Sequence, residues 1–286
     1  MNARSRSATT GRRSGFGGIG SSQPTHRAGA MLALLAALLL ALLAAPAALA
    51  AAPEKPAKPA KSKWDQYPPP ELGVAHQAGP KPHLILLHGG SFLYDDDEFE
   101  ATTREAALKA GFIPHYTTYP LGDMPAAVLA VRAEARRLRQ KLGGTTMVYA
   151  YGSSAGGTLA ALLSGDGLVG AAVAKAPVSN LVSWEWPLEQ YGPKYYERVA
   201  LNLPARYRLS PVRRAEKNPL LLIHGIDDQV VPISQSEQFA NKFQRVFLWE
   251  VLGGHHAERS QPEVLQSALI WLAEIAEGQA QGTIPG

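Results

Sequence analysis

Two serines stand among small residues in the sequence GSSAG, which occupies residues 152–156. The preceding TMVYAY (146–151) is typical of a buried strand, and the residues from Ser154 onward are typical of a helix. A G-x-S-x-G sequence between a strand and a helix can hold a nucleophilic serine on a sharp, strained turn. The start of the helix would also favour negative charge that develops beside the serine.

The frame of this motif selects Ser154 as the candidate nucleophile. A strained turn requires small residues two positions before and two positions after the serine, and Gly152 and Gly156 meet this requirement. Ser153 is the rival candidate, but its own frame would place Tyr151 at one of the small positions. We expect the tyrosine to clash there.

A nucleophilic serine needs a general base and an acid that orients the base. The sequence GGHH after the last predicted strand offers His255 and His256 as the base. We favour His255, which follows the two glycines directly, and His256 is the alternative. The sequence LLIHGIDDQVVP offers Asp227 and Asp228 as the acid, and we expect the other aspartate to be a turn or capping residue.

The negatively charged oxygen of an acyl-transfer intermediate needs hydrogen-bond donors. The sequence LILLHGGSF ends a predicted strand with Gly89 and Gly90, which allow the backbone to approach a substrate oxygen closely. We expect the amides of Gly90 and Ala155 to be the donors, with Gly89 or Ser91 assisting.

Short apolar segments alternate with helical patterns from residue 83 onward. The segments are apolar on both faces, which is typical of a parallel sheet covered by helices on both sides. The alternation of strand and helix predicts a doubly wound α/β fold. The predicted strands are 83–87, 112–119, 146–151, 169–176, 219–225 and 245–252, and the predicted helices are 97–111, 124–144, 154–167, 233–244 and 261–278.

One segment, residues 177–218, is too long for an ordinary connection and is rich in tryptophan and tyrosine. We interpret it as a lid or a pocket wall, with a small helical excursion packed on the sheet as the alternative. The expected substrate-binding residues are Trp184 and Trp186 in this segment, together with Ser91 and Ser153.

The first 50 residues have the parts of a secretory signal peptide: a basic segment, an apolar core and a small-residue ALA sequence. Residues 51–63 are rich in proline and lysine and predict a solvated linker. We therefore expect a folded domain over 64–278, a flexible tail over 279–286, and export to the periplasm or the medium. The alternative is that the leader is not cleaved and anchors the protein in the membrane. We expect no membrane association apart from such an anchor.

Charge and cysteine content exclude several classes of function. The net charge of +4 comes from the leader and the linker, and residues 64–286 carry a net charge of −4, which gives no reason to expect a nucleic-acid partner. The chain has no cysteine, which excludes disulfides, thiolate metal sites and a cysteine nucleophile. The acidic residues of 94–100 are typical of a helix start, and we expect neither a metal nor a cofactor.

Four motifs, HGGSF, GSSAG, HGIDDQVVP and GGHH, resemble those of the α/β-hydrolase superfamily. They are most similar to esterases of the hormone-sensitive-lipase and bacterial feruloyl-esterase-like groups. The resemblance covers about residues 83–277 and implies an α/β-hydrolase fold with a minimal, mostly parallel sheet of about six strands. It also implies that Asp228, four residues after the histidine of HG, is the acid, and that His255, after the glycines, is the base.

The resemblance implies a serine esterase that cleaves a small or medium carboxylic ester through an acyl-enzyme. A peptidase or amidase with the same triad is one alternative, because prolyl-oligopeptidase relatives share the HG-x-x-D step. A non-catalytic binding protein with this fold is another. The natural ester and the oligomeric state are left open by the sequence.

Overall fold

Six strands form one sheet in the computed structural model, which describes residues 81–143, 147–214, 217–257 and 262–281. All neighbouring strands are parallel, and their order across the sheet is β2-β1-β3-β4-β5-β6. The chain order reverses beside β1, and in such sheets the crevice at the reversal is where ligands bind. The strands are β1 His83–Leu87, β2 Ile113–Tyr116, β3 Val148–Ser153, β4 Ala172–Lys175, β5 Leu220–Gly225 and β6 Val246–Val251.

Helices follow the strands, and several begin at a side chain that accepts a hydrogen bond from the first turn. Asp96 accepts from the Phe99 amide, and Asp123 accepts from the Ala126 amide, as N-cap residues do. The helices in the described residues are α1 Asp97–Lys109, α2 Met124–Lys141, α3 Ala155–Gly165, α4 Leu188–Tyr191, α5 Tyr195–Arg198, α6 Leu203–Leu209, α7 Ser234–Lys242 and α8 Pro262–Ala280.

Each face of the sheet has its own hydrophobic core because successive strand residues point to opposite sides. Leu84 and Leu86 of β1 pack with residues of α1 and α8, whereas Ile85 and Leu87 pack with residues of α2, α3 and α7. Ser153 and Lys175 are register partners at the ends of β3 and β4. The predicted α/β fold with a parallel sheet of six strands and helices on both faces is therefore confirmed.

The aromatic segment folds into three short helices, α4 to α6, and a 3₁₀ turn at Pro211–Arg213. Its rings pack against each other: Trp184 and Trp186 both meet Tyr195 and Tyr196, in T-shaped or tilted pairs. The guanidinium of Arg206 lies 3.8 Å from the ring centroid of Tyr196. The segment thus contains short helices, as the alternative interpretation expects, and it also contributes Gln190 and Tyr191 to the wall of a cavity.

The C-terminal boundary differs from the prediction, because α8 continues to Ala280 rather than ending at residue 278. The side chain of Gln279 connects the last turn of α8 to residues of the sheet and its loops. Its Nε2 donates a hydrogen bond to the carbonyl of Gly170, and its Oε1 accepts one from the hydroxyl of Tyr149. The predicted leader over 1–50 and linker over 51–63 lie outside the described residues. Of the helices in the described ranges, none has both the length and the apolar character of a membrane span.

Candidate active site

Ser154 occupies a strained turn between β3 and α3. Its φ of 53° and ψ of −112° lie outside the ordinary regions for a residue with a side chain, and its amide donates to the carbonyl of Lys175. A Cβ on Gly152 would overlap the carbonyl of Gly156, and a Cβ on Gly156 would overlap the carbonyl of Leu87. The two glycines thus permit the close backbone approach that the turn needs, as the G-x-S-x-G frame predicts.

The base position is taken by His256, which corrects the preference for His255. The Oγ of Ser154 lies 2.9 Å from Nε2 of His256, and Nδ1 of His256 lies 2.8 Å from Oδ2 of Asp228. His255 is exposed and is not among the residues that line the cavity at Ser154. The sequence expectation of Ser154 and Asp228 in this arrangement agrees with the geometry, and the histidine is shifted by one residue.

The path of the chain after β6 explains this shift. The Gly254 amide donates to the carbonyl of Val251, so the two glycines are used in turning the chain back towards the sheet. A Cβ on Gly225 would overlap the carbonyl of Gly254, which shows how closely the turn packs against the end of β5. The next side chain, His255, is exposed, and the one after it faces Ser154. Gly225 is a site residue that sequence reasoning missed, although the HG step contains it.

Asp228 is buried at the end of β5 and is held by both of its oxygens. Oδ1 accepts from the amides of Val230 and Val231, and Oδ2 accepts from His256, with Nε2 of His224 3.3 Å away. Burial alone would raise the pKa of Asp228, but the hydrogen bonds from His224, His256 and the Val231 amide outweigh burial and hold this pKa well below its usual value. The carboxylate therefore stays ionised and accepts a hydrogen bond from Nδ1 of His256, which fixes the orientation of the imidazole.

The loop after β1 brings the predicted oxyanion donors to the same place. A Cβ on Gly89 would lie 3.6 Å from Cβ of Ser154, so this backbone passes directly beside the serine. Gly90 has a φ of 86°, and Ser91 continues in the left-handed region with a φ of 56°. Ala155 is the first residue of α3, so its amide has no acceptor within the helix. Gly89 thus lies beside Ser154, Ala155 follows Ser154 directly in the chain, and Gly89 and Gly90 line the same cavity as Ser154.

A cavity of about 440 Å³ opens beside Ser154 and His256. Two of the four predicted substrate-binding residues, Ser91 and Ser153, line it. The other lining residues come from β1 and its loop, α1, the strand ends, the aromatic segment and the start of α8: Gly89, Gly90, Tyr94, Asp96, Phe99, Thr102, Thr103, Tyr151, Lys175, Gln190, Tyr191, Ala257, Pro262 and Leu265.

Trp184 and Trp186 do not line the cavity, which corrects their assignment as substrate-binding residues. The indole of Trp184 donates to the carbonyl of Val230, and the indole of Trp186 donates to the carbonyl of Gly192. The ring of Trp184 thus ties the aromatic segment to the loop after β5, and the ring of Trp186 ties two parts of the segment to each other. The segment contributes Tyr191 to the wall instead, and the hydroxyl of Ser91 donates to that of Tyr191 over 2.8 Å.

This geometry can perform nucleophilic acyl transfer. His256 can accept the proton of Ser154, the amides beside Ser154 can bind a negatively charged oxygen, and Asp228 can stabilise the protonated imidazole. In the described ranges, no cluster of three or more histidine, aspartate or glutamate side chains could hold a metal ion. The fold and the site together define the class of protein: an α/β hydrolase with a serine, a histidine and an aspartate at the carboxyl ends of its strands.

The chain belongs to the prolyl oligopeptidase family, whose family model matches residues 129–279. The match begins within α2 and ends within α8, so it includes Ser154, Asp228 and His256. The loop after β1 lies before the matched residues.

Solved structures with the same fold include three hydrolases at low sequence identity. An acetyl ester-xyloside bifunctional hydrolase from Caldicellulosiruptor lactoaceticus has 18% identity and a TM-score of 0.58, over 73% of this chain and 86% of its own. A propionate-bound thermophilic esterase from Thermogutta terrifontis has 21% identity and a TM-score of 0.55, over 72% and 85%. A truncated carbohydrate esterase from gut microbiota has 18% identity and a TM-score of 0.58, over 73% and 88%.

Proposed function

We propose that this protein is a serine esterase that cleaves small to medium carboxylic esters through an acyl-enzyme. The observation that carries the proposal is the hydrogen-bonded series from Ser154 through His256 to Asp228, in which both nitrogens of the imidazole are engaged. The strained turn at Ser154 supports it further, because such strain is costly and persists at functional sites.

In the proposed reaction, His256 takes the proton of Ser154 as the serine oxygen attacks the ester carbonyl. The amides of Gly89, Gly90 and Ala155 hold the oxygen of the tetrahedral intermediate. His256 then gives its proton to the departing alcohol, which leaves the acyl group on Ser154. In the second half, His256 activates a water molecule that releases the carboxylic acid and restores the serine.

The size and lining of the cavity support an ester of modest size. A volume of about 440 Å³ is near the lower end of the range for ligand pockets, and the walls combine aromatic rings with hydroxyl groups. Two of the structural neighbours are esterases, one of them with propionate bound, and the third is an acetyl ester-xyloside bifunctional hydrolase. These likenesses support an ester substrate and do not identify the natural one.

The test is hydrolysis of p-nitrophenyl esters from acetyl to decanoyl by the mature protein and by Ser154→Ala. We expect an optimum at short or medium chains and its loss in Ser154→Ala, whose thermal unfolding should stay cooperative. A fluorophosphonate should label the unmodified protein and Ser153→Ala, but not Ser154→Ala. Esterase activity that persists in Ser154→Ala would refute the assignment, and a folded protein that takes no label would favour a non-catalytic binding role.

The family match favours a second candidate, a peptidase or amidase that uses the same residues. The same chemistry would attack an amide carbonyl, with His256 protonating the departing amine. A panel of peptidyl p-nitroanilides measured beside the p-nitrophenyl esters separates the two candidates. A larger kcat/KM for an anilide than for every ester would replace the esterase proposal.

We also propose that the protein is exported after cleavage near residue 50, on the basis of the leader sequence alone. The N-terminal sequence of the protein recovered from the cell envelope or the medium tests this proposal. An intact N-terminus in the membrane fraction would favour an uncleaved anchor instead.

A further inference from the structure

Tyr119 lies beneath the loop that carries the proposed oxyanion donors. Its hydroxyl lies 2.8 Å from the carbonyl oxygen of His88 and 3.0 Å from that of Gly89, so one proton is shared between two carbonyls. Nδ1 of His88 donates a second hydrogen bond to the Gly89 carbonyl over 3.0 Å. Two successive carbonyls of the loop are therefore held by side chains on its buried side.

The direction of these carbonyls fixes the direction of the amides. In a trans peptide, the C=O of one residue and the N–H of the next point in opposite directions. Because the carbonyls of His88 and Gly89 point to Tyr119, the amides of Gly89 and Gly90 point away from it, and both glycines line the cavity. Within the described ranges, neither amide donates to a protein acceptor. Two adjacent amides that point the same way form a concavity that binds anions.

The surroundings of Tyr119 keep its hydroxyl in place and protonated. The side chain is 5% exposed, and its ring stacks on that of His88 with centroids 4.2 Å apart and an interplanar angle of 2°. Burial, followed by nearby tyrosine and aspartate groups, raises the pKa of Tyr119 well above its usual value. Nε2 of His88 lies 3.5 Å from a carboxylate oxygen of Asp95, which in turn accepts from the hydroxyl of Tyr116.

We propose that Tyr119 is a positioning residue that turns the amides of Gly89 and Gly90 towards the substrate oxygen. The proposal rests on the proposed acyl transfer at Ser154. Tyr119 touches neither the substrate nor Ser154, and it acts through the two peptide planes that its hydroxyl holds. Without the hydroxyl, the plane between Gly89 and Gly90 keeps one side-chain donor, His88, and the plane before it keeps none.

The test compares Tyr119→Phe with Tyr149→Phe. Tyr119→Phe keeps the ring against His88 and removes the donor. Tyr149→Phe removes the hydroxyl of another buried tyrosine, which donates to Gln279 and does not line the cavity, and is the matched control for stability. Deleting one oxyanion donor typically costs about 10²- to 10³-fold in kcat, and freeing a peptide plane should cost part of this.

We therefore expect kcat of Tyr119→Phe on p-nitrophenyl esters to fall by about 10- to 100-fold, with KM changed less than about threefold. The affinity for a trifluoromethyl ketone, which forms a tetrahedral oxyanion on Ser154, should fall by the same factor. The affinity for the matching ether, which has no carbonyl, should not change. Tyr149→Phe should lower the unfolding temperature by a similar amount and leave kcat within about twofold.

Equal kcat and equal ketone affinity in Tyr119→Phe and the unmodified protein would overturn this proposal alone, provided that the unmodified protein reacts with a fluorophosphonate. Failure of the unmodified protein to react would refute the proposed function and this proposal with it. If Tyr119→Phe does not fold, His88→Leu carries the test, because it removes one of the two donors to the Gly89 carbonyl. A smaller loss, about threefold to tenfold in ketone affinity, is then expected, and unchanged affinity would overturn the proposal.

Discussion

Replacing His256 by alanine should abolish catalysis, whereas replacing the adjacent His255 should not. The imidazole of His256 lies between Ser154 and Asp228, with heavy-atom distances of 2.9 and 2.8 Å, and both ring nitrogens are used. His256→Ala removes the only side chain that can accept the proton of Ser154 over these distances within the described residues. His255→Ala is the matched control, because the same side chain is removed one residue earlier.

The size of the expected effect follows from these contacts. Removal of the base in a serine triad lowers kcat by about 10⁴- to 10⁶-fold, which corresponds to about 5–8 kcal/mol of transition-state stabilisation. The fold should survive, because Asp228 still accepts from the amides of Val230 and Val231 and remains beside His224. We expect a loss of about 1–2 kcal/mol in the free energy of unfolding from the missing hydrogen bonds.

The assay is kcat and KM on a short p-nitrophenyl ester, with urea unfolding measured for each variant. We expect His255→Ala to keep kcat within about threefold, since an exposed side chain outside the cavity does not contact the reacting atoms. A larger loss of kcat in His255→Ala than in His256→Ala would refute the reasoning from the geometry. It would show that the base is the residue selected by the glycine step of the sequence.

Three further predictions follow from the same site. Gly225→Ala should lower kcat at least tenfold and reduce the free energy of unfolding by about 1–3 kcal/mol, because the new methyl group overlaps the carbonyl of Gly254; unchanged kinetics and unfolding would contradict this. The depressed pKa of Asp228 means that its carboxylate stabilises the fold at neutral pH, and that this contribution is lost as the pH falls below about 4. The unfolding temperature of the Asp228→Asn variant should therefore depend less on pH between about 2 and 4. An unchanged dependence would contradict the conclusion that the pKa of Asp228 is lowered in the folded protein. Tyr191→Ala should shift the preferred p-nitrophenyl ester to a longer acyl chain, since the ring forms part of the cavity wall. The chain-length profile of Ser91→Ala, which loses only the hydrogen bond to Tyr191, tests whether the ring or this hydrogen bond limits the length of the acyl chain.

The strands and the main helices could be predicted from the sequence because their signals are local. Apolar segments that suit burial on both faces specify strands in a parallel sheet, and Asp96 and Asp123 mark helix starts through hydrogen bonds to amides three residues away. The last turn of α8 could not be predicted, because Gln279 in that turn is held by Tyr149 and Gly170, which lie more than 100 residues earlier in the chain. No local pattern records such a contact.

The sequence by itself determined the candidate nucleophile, because the steric demand of the turn acts within five residues and only Ser154 has glycine on both sides at the required spacing. Tertiary structure decided between His255 and His256, which have nearly the same local surroundings in the sequence. The choice depends on how Gly254 packs against Gly225, a contact between the ends of two strands. Tertiary structure likewise decided that Trp184 and Trp186 donate hydrogen bonds to backbone carbonyls while Tyr191 lines the cavity. The type of a residue specifies what its side chain can contact, and only the packing of distant segments determines which contact it makes.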